Sequence, residues 1–389
     1  MTPIDIPIDL QIETLLRLPV KSLLRFKCVS KLWSSIITSR DFKNRHINIA
    51  TSSVPPRLLI AFADFDRNYV LLVSSPNPTA YSSSSSPCCV PYRDLSLVKL
   101  RGKEVYNACR GLICVGAGFK DVAICNPGTR QLYAFPEFKF KDSPQAFPRP
   151  NYVFGYDPVE DQYKVLAADV NFGRFEHKVV ALGREEAWRE VPCVACPHVA
   201  FTSGLYMNGT VYYGAYREAI DSQNINPIIM SFDVRLETFN MINIPSKVLS
   251  LMGYVNMGDA HRLFTGKALI NYREKIGLVE NPHEGSFRLW IVEDAEKEEW
   301  SMQTFHLPES ALGLDLKVTD TVNNGEICLV PKDLSDPFCL FFYNLDKKSM
   351  RSVVIEGLPI SEFNRPYGIS VTVSDHHESF MFLETPKLT

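Results

Sequence analysis

Hydrophobic and polar residues alternate in two different ways along this chain of 389 residues. In the first 50 residues the apolar positions recur every three or four residues, which is the spacing of one face of a helix. From residue 57 onward, short apolar and β-branched runs are separated by turns rich in Asn, Asp, Gly and Pro, which predicts strands. The pattern divides the chain into a helical module (residues 1–50), a linker (51–56) and a large β domain (57–389).

The helical module is predicted to contain three helices. The first carries an apolar stripe that begins at Ile8, and Asp9 is placed to cap it. Pro19 cannot continue this helix and disfavours a helical conformation at Leu18, so the two residues should form a corner. A short second helix is expected from about Ser22 to Lys27.

The third helix has the clearest apolar stripe, with Ser30 as its capping residue and its end near Ser39. The stripe is formed by Val29, Leu32, Trp33, Ile36 and Ile37. Three such short helices bury too little surface to be stable alone, so something must cover their remaining apolar residues. The pattern leaves open whether the cover is a partner protein or the chain's own β domain.

The β domain consists of loosely repeated hairpins. The turns near Asn126, Asp157, Gly183, Asp233, Asp294 and Asn344 are separated by 31, 26, 50, 61 and 50 residues. Propeller blades of about 40–50 residues account for part of this spacing, and two turns in one blade account for the rest. The Asn208-Gly209 and Asn324-Gly325 pairs predict further tight hairpins. The expected fold is a degenerate, kelch-like β-propeller, and the alternative is a pair of β-sandwiches.

Two stretches interrupt the regular pattern. Residues 50–56 combine small polar residues with paired prolines, which predicts an extended linker. Residues 74–92 form a serine-rich stretch of low complexity, which is expected to be a mobile loop because it has too few apolar residues to bury.

Charge is uneven along the chain although its formal net value is only −3. Between Arg17 and Arg45 there are eight basic residues and a single acidic one, Asp41. No recognition-helix signature or aromatic-lined groove accompanies this basic stretch, so nucleic acid is not the expected partner. An acidic protein surface is the preferred partner, since opposite charges steer association.

The ten cysteines follow no regular spacing, and no secretory signal or apolar run of about 20 residues occurs. These features predict reduced thiols, a cytoplasmic or nuclear location, and no membrane partner.

Candidate chemistry is sparse. Cys193 and Cys196, followed by His198, have a metal-like spacing, but a structural zinc site needs four ligands and no second such pair exists. The run from Asp375 to Glu378 contains four possible ligands, and its better interpretation is an exposed turn near the C-terminus. The chain has no G-x-S-x-G, phosphate-loop or H-E-x-x-H motif. We therefore expect a non-enzymatic protein without metal or cofactor, and a propeller enzyme with a cofactor in its channel is the competing hypothesis.

Residues 6–37 resemble the F-box, the motif by which substrate receptors bind the Skp-type adaptor of cullin–RING ubiquitin ligases. The opening of the motif matches Ile6, Pro7, Asp9 and Leu10, and its Leu-Pro pair matches Leu18 and Pro19. The later leucine is Leu23, and the V-S-K-x-W signature runs from Val29 to Trp33. Two positions depart from the pattern, because Thr14 replaces an apolar residue and Ile8 an acidic one. Thr14 should weaken adaptor binding without abolishing it, since its hydroxyl can bond back to the helix.

The β domain resembles the F-box-associated domain of plant F-box proteins. The similar segments are A-C-R-G-L-I at 108–113, N-P-x-T-R at 126–130, and F-G-Y-D-P at 154–158 followed by Y-K-V.

Together the two resemblances imply a substrate-recognition subunit of a Skp–cullin–F-box (SCF) ubiquitin ligase. They imply binding to the adaptor and, through it, to a cullin and a RING subunit, together with an unidentified target protein. An adaptor-binding scaffold without a degradation target is the alternative. The adaptor-binding residues that the resemblance implies are Ile6, Pro7, Leu10, Leu15, Leu18, Pro19, Leu23, Val29 and Trp33.

Overall fold

A computed structural model describes most of the chain. The described residues are 6–53, 56–64, 67–77, 88–102, 104–116, 121–136, 151–171, 174–183, 187–200, 202–217, 226–251, 267–322, 325–363 and 369–383. The predicted serine-rich loop falls largely outside these ranges. Asn324 of the predicted Asn324-Gly325 hairpin and the last six residues of the chain also lie outside them.

The N-terminal module is helical, as predicted, but its described residues, 6–53, form four helices. They are α1 (Ile8–Leu16), α2 (Val20–Phe26), α3 (Lys31–Thr38) and α4 (Arg40–Ser53). The predicted cap of α3 is confirmed, because Ser30 Oγ accepts a 3.0 Å hydrogen bond from the Trp33 N–H. The predicted cap of α1 is wrong: Asp9 lies within the first turn, and Pro7 occupies the N-cap position without a side-chain bond.

The second and fourth helices also differ from the prediction. Helix α2 begins at Val20 because Pro19, with φ −66° and ψ 154°, sits at the N-cap, where the missing N–H has no cost. Ser39 is extended and ends α3, and its Oγ then accepts a 3.2 Å bond from the Phe42 N–H to cap α4. Residues 51–53 are the last turn of α4, where the sequence predicted an extended linker.

The β domain is a six-bladed propeller, so the propeller prediction is confirmed and the sandwich alternative is wrong. Blade 1 contains β1 (Arg57–Asp64), β2 (Tyr69–Ser75), β4 (Ser96–Arg101) and β26 (Ile369–His376). Blade 2 contains β5 (Glu104–Cys109), β6 (Leu112–Gly116), β7 (Val122–Asn126) and β8 (Gln131–Ala134). Blade 3 contains β9 (Asn151–Asp157), β10 (Gln162–Asn171), β11 (Arg174–Ala181) and β12 (Arg189–Glu190).

The remaining blades follow in chain order. Blade 4 contains β13 (His198–Ala200), β14 (Leu205–Met207), β15 (Thr210–Arg217), β16 (Asn226–Asp233) and β17 (Thr238–Asn243), and helix α5 (Ser246–Leu251) follows it. Blade 5 contains β18 (Lys267–Tyr272), β19 (Lys275–Glu280), β20 (Ser286–Asp294) and β21 (Glu299–His306). Blade 6 contains β22 (Leu316–Val322), β23 (Glu326–Pro331), β24 (Phe338–Asn344), β25 (Ser349–Ile355) and the short β3 (Cys88–Val90).

The middle strands of the sheets are buried on both faces, which explains why strands such as β6, β7, β19 and β23 are nearly continuous apolar runs. In β6, Leu112 packs into the core between blades 2 and 3, whereas the next residue, Ile113, packs into the core between blades 1 and 2. A sandwich would have one core between two sheets, and only a radial arrangement gives every sheet two cores.

The ring is closed by strands from opposite ends of the chain. Strand β26 pairs antiparallel with β1 along its whole length, from Arg57↔His376 to Asp64↔Ile369. This pairing corrects the interpretation of residues 375–378 as an exposed turn, because His376 ends a strand and is only 2% exposed.

Five of the turns used to predict the repeat share one geometry. The side-chain Oδ1 of Asn126, Asp157, Asp233, Asp294 or Asn344 accepts from a backbone N–H two or three residues later. The residue four positions after each is left-handed, with φ between 49° and 58°. Asn and Asp favour such turns because their short side chains replace a backbone acceptor. The predicted Asn208-Gly209 hairpin is confirmed, with φ 48° and 86° at its two residues.

Candidate functional site

Several large apolar side chains of the helical module are exposed to solvent. Ile6, Ile8 and Leu10 at the start of α1 are 57%, 49% and 58% exposed. Val29 and Leu32, at the start of α3, are 62% and 47% exposed. Exposed apolar residues scattered singly are ordinary, but five in a module of about 45 residues mark a surface that a partner can cover. We call these five residues the apolar face.

Trp33 connects the helices behind this face. Its indole Nε1 donates a 2.6 Å hydrogen bond to Gln11 Oε1 on α1, and its ring packs edge-on against Phe26 at 5.3 Å. Gln11 Nε2 in turn donates to the Ile6 carbonyl at 2.7 Å. Trp33 is therefore half-buried and carries both a packing and a hydrogen-bonding role.

The nine residues that the sequence predicted for adaptor binding divide into three groups by exposure. Exposed are Ile6, Pro7, Leu10, Pro19 and Val29. Half-buried are Leu18 and Trp33. Leu15 and Leu23 are 1% and 0% exposed and pack in the core of the module with Leu16, Val20 and Ile37. Ile8 and Leu32 are exposed but were not among the predicted adaptor-binding residues, although Leu32 belongs to the predicted apolar stripe of α3.

Thr14 lies on the exposed side of α1. Its hydroxyl donates a 2.7 Å hydrogen bond to the Leu10 carbonyl one turn earlier. The polar group is therefore satisfied within the helix, which is the back-bonding that the sequence analysis expected.

Six of the eight basic residues of the module fall into two sets. Arg40 and Arg45 form ion pairs, with Asp161 at 2.7 Å and with Glu13 at 2.6 Å. Exposed and without an ion pair within the described residues are Arg17, Lys21, Arg25 and Lys31. Arg17 follows α1, Lys21 and Arg25 lie on α2, and Lys31 is the first residue of α3, so the surface of the module carries four exposed positive charges.

The helical module contacts the first turns of blades 2 and 3, which lie in or just after the A-C-R-G-L-I and F-G-Y-D-P segments. Arg110, in the first turn of blade 2, stacks 4.2 Å above the Tyr156 ring and lies 3.4 Å from Asn44 Oδ1 on α4. Asp161, left-handed at the first turn of blade 3, accepts from the Tyr156 hydroxyl at 2.6 Å and pairs with Arg40. The A-C-R-G-L-I and F-G-Y-D-P segments therefore hold the helical module.

A central cavity of about 570 Å³ is lined by the inner strands of blades 1, 2, 5 and 6 and by the segment leading into β14 of blade 4. It contains Asp320 and Asp375, and burial raises the pKa of Asp320 to about 7. At its mouth Arg273 pairs with Asp346, and Glu326 pairs with Arg351 at 2.7 Å. Its polar lining can hold water or a polar group.

Cys193, Cys196 and His198 lie near one another without forming a metal site. Cys193 Sγ is 3.8 Å from His198 Nδ1, but that nitrogen donates to the Cys196 carbonyl at 3.0 Å. Burial raises the pKa of both thiols, which keeps them protonated. Among the described residues no group of three or more His, Cys, Asp or Glu side chains could hold a metal ion. Likewise, no helix in the described ranges has the length and apolar content needed to span a bilayer.

Comparisons with known proteins match both parts of the chain. Residues 4–45 match the F-box domain, and residues 57–383 match the F-box associated beta propeller domain. An F-box protein of Arabidopsis thaliana is 54% identical over 387 residues, covering 99% of this chain and 98% of its own. The F-box protein DOR of the same plant is 34% identical over 378 residues, covering 93% and 91%. Among solved structures, an α-L-arabinofuranosidase from Fusarium graminearum is 10% identical with a TM-score of 0.38, covering 84% of this chain and 95% of its own.

Proposed function

The chain belongs to the plant F-box proteins that carry an F-box associated beta propeller domain, and from this premise we propose that it is the target-recognition subunit of an SCF ubiquitin ligase. The F-box docks on a Skp-type adaptor, the propeller holds a target protein, and the cullin-bound enzyme supplies ubiquitin. The receptor acts by proximity, since it raises the effective concentration of target lysines near the charged ubiquitin carrier. No cofactor or metal is needed for this role, and the protein would act in the cytoplasm, the nucleus or both.

The observation that carries the proposal is the apolar face. Leu32 on α3, Val29 in the turn just before it and Leu10 on α1 remain exposed in a module whose own core is filled by Leu15 and Leu23. Covering a large apolar side chain stabilises a complex by about 1.5–3 kcal/mol. The exposed basic residues Arg17, Lys21, Arg25 and Lys31 favour an acidic adaptor surface by steering.

The proposal is tested by co-purification with a plant Skp-type adaptor. The variant Val29→Asp/Leu32→Asp changes two exposed residues of the apolar face, so its fold should be retained while adaptor capture is lost. The matched control is Val159→Asp, which changes a residue that is 59% exposed on the propeller. Failure of the native chain to capture the adaptor, or equal capture by all three proteins, would contradict the proposal.

A scaffold that binds the adaptor without a degradation target is the second candidate. The experiment that separates it from a receptor is proximity labelling in plant cells from the adaptor-bound chain, with and without proteasome inhibition. A receptor should label proteins that accumulate under inhibition and depend on the propeller, whereas a scaffold should label the same set in both conditions.

A further inference from the structure

The segment that follows strand β26 lies between the F-box and the propeller. Residues 379–383 belong to no helix or strand, and their side chains point alternately to the two domains. Phe380 packs in the F-box core and Phe382 against it, whereas Leu383 packs in the core between blades 2 and 3 and Met381 against that core. We call residues 379–383 the C-terminal strap. The alternation is that of an extended chain with one face on each domain.

On its F-box side the strap fills the core of the module. Phe380 is 2% exposed, and its ring centre lies 5.6 Å from that of Phe42 and 5.0 Å from that of His46, both on α4. The Lys27 ammonium lies 3.5 Å from the centre of the Phe382 ring. The F-box core therefore includes an aromatic residue that lies more than 330 positions from the helices it supports.

On its propeller side the strap is held by blade 2. Asn126 Nδ2 donates to the carbonyls of Ser379 at 2.9 Å and Met381 at 2.8 Å, and Asn126 itself is fully buried. The Leu383 N–H donates to Gln131 Oε1 at 3.1 Å. Asn126, the first residue of the N-P-x-T-R segment, therefore has two roles. Its Oδ1 accepts the hydrogen bond that stabilises its own turn, and its Nδ2 binds the strap.

Two glycines of blade 2 let the backbone of residues 377–379 approach closely enough for these hydrogen bonds. A Cβ at Gly128 would lie 2.9 Å from the Ser379 carbonyl oxygen, and one at Gly111 would lie 2.3 Å from the His377 carbonyl oxygen. Gly111 also has a φ of +79°, which other residues adopt only with strain. The chain leading from β26 into the strap therefore follows a close-fitting path over blade 2.

Only two residues, His377 and Glu378, separate the strap from β26, the strand that closes the propeller ring. Strand β26 is the inner strand of blade 1 and pairs with β1 up to Arg57↔His376, and Ser379 is already bonded to Asn126. With so few residues between them, the strap can reach its place only when β26 is in blade 1, since the three Cα–Cα steps from His376 to Ser379 span at most about 11 Å.

We propose that the F-box of this protein is complete only when the propeller ring is closed, and that the C-terminal strap transmits closure from β26 to the F-box core through Phe380. The inference rests on the proposed function for its consequence: a chain with an unclosed target domain would not recruit the adaptor. Phe380 and Asn126 are positioning residues, because they act on adaptor docking through α4 and blade 2 and not by contact.

The coupling is tested on the full chain by hydrogen exchange and mass spectrometry at increasing sub-denaturing urea concentrations. In the native protein, amides of α2–α4 should lose protection at the same urea concentration as those of β26. In Phe380→Ala the F-box amides should exchange about 100-fold faster while blades 3–5 stay protected, given the cost of deleting a buried phenylalanine ring. Phe380→Leu should recover most of the protection and of the adaptor capture. Phe305→Ala, which deletes a similarly buried ring in the core shared by blades 5 and 6, should raise F-box exchange only as far as it raises the exchange of β26.

Ring closure is tested separately at Val373, which is buried in blade 1 and belongs to the core shared by blades 1 and 6. Val373→Asp should open the ring and raise F-box exchange without removing a contact of the module. Val373→Ala should have the same effect to a smaller extent, and it is the variant to measure if Val373→Asp unfolds the whole chain. Unchanged F-box protection in both Phe380→Ala and the Val373 variants would overturn the inference. The exchange readout needs no adaptor, so coupled protection without adaptor capture by the native chain would refute the docking proposal and leave the coupling intact.

Discussion

The indole Nε1 of Trp33 donates a 2.6 Å hydrogen bond to Oε1 of Gln11, a residue 22 positions earlier on a different helix. Gln11 also donates to the Ile6 carbonyl, so one side chain ties the start of α1 to α3. The V-S-K-x-W signature therefore does more than supply an apolar ring for a partner, because its tryptophan fixes the angle between the two helices that carry the apolar face.

The first prediction concerns this bond. Gln11→Leu removes the acceptor and leaves the half-buried indole N–H without its partner, which should lower the free energy of unfolding of the F-box by about 1–3 kcal/mol. Gln11→Glu keeps an acceptor oxygen and serves as the control. Hydrogen exchange of the α1 and α3 amides measures the effect, and equal exchange in both variants would contradict the assigned role.

The second prediction separates docking from folding. Leu15 is 1% exposed, so Leu15→Ala should destabilise the F-box by about 2–5 kcal/mol and reduce adaptor capture through unfolding. Leu10→Ala changes a side chain that is 58% exposed, so it should weaken adaptor binding about tenfold or more with the exchange protection of the module unchanged. Titration calorimetry with the purified adaptor, alongside exchange, distinguishes the two. Parallel loss of binding and protection in Leu10→Ala would show that this residue acts through the fold.

The third prediction concerns the polar substitution in the motif. Thr14 is exposed and its hydroxyl is bonded only to its own helix, so Thr14→Leu exposes an additional apolar side chain without leaving an unsatisfied group. Adaptor affinity should rise several-fold, whereas Thr14→Ser, which keeps the hydroxyl and loses a methyl group, should not raise it. Unaltered affinity in Thr14→Leu would place Thr14 outside the docking face.

The sequence predicted local elements well where one short-range rule decides the outcome. Ser30 caps α3 because its hydroxyl reaches the Trp33 N–H, and the Asx turns at Asp157 and Asp233 form because a side-chain oxygen lies within reach of the next N–H groups. The propeller itself was predictable from the spacing of its hairpin turns, and the structure adds that runs such as the one from Leu58 to Ala63 are buried on both faces.

What the sequence did not predict depends on contacts between distant segments. His376 appeared to lie in a polar turn, yet its pairing with Arg57 makes it the last residue of a buried strand. The F-box resemblance grouped Leu15 and Leu23 with Val29 as adaptor-binding residues, because a sequence motif does not distinguish the side chains that pack inside the module from those that stay exposed. Phe380 carried no signal, since its role depends on residues more than 330 positions away. The extent of the kelch resemblance and the exact domain bounds remain predictions.

The fourth prediction concerns charge. The exposed, unpaired Lys31 lies at the start of α3 beside the exposed Val29 and Leu32, so Lys31→Glu should slow association with an acidic adaptor surface several-fold. The association rate of the native chain should also fall as ionic strength rises, because salt screens steering between exposed charges. Lys247→Glu, an equal charge reversal on an exposed residue of α5, is the control, and stopped-flow mixing provides the measurement. Identical rates for Lys31→Glu and Lys247→Glu would exclude steering by Lys31.

The last prediction follows from two buried histidines. Burial lowers the pKa of His376 to about 4 and that of His177 to about 3, from an ordinary value of 6.5, and neighbouring positive charge adds to both shifts. Between pH 4 and 6.5 the unfolded chain therefore binds more protons than the native one, so these residues support stability fully above pH 6.5 and lose that support as the pH falls. Protonation of each histidine should therefore remove about 2 kcal/mol of the free energy of unfolding between pH 7.5 and 5.0.

The test replaces His376. Its Nδ1 has no hydrogen-bond partner among the described residues, so His376→Leu is tolerable, and this variant should lose about 2 kcal/mol less stability on acidification than the native chain. Urea unfolding of the native chain, His376→Leu and the non-titrating β26 control Thr372→Val at the two pH values measures the difference. The same loss in all three proteins would mean that His376 is protonated in the folded state at pH 5.0.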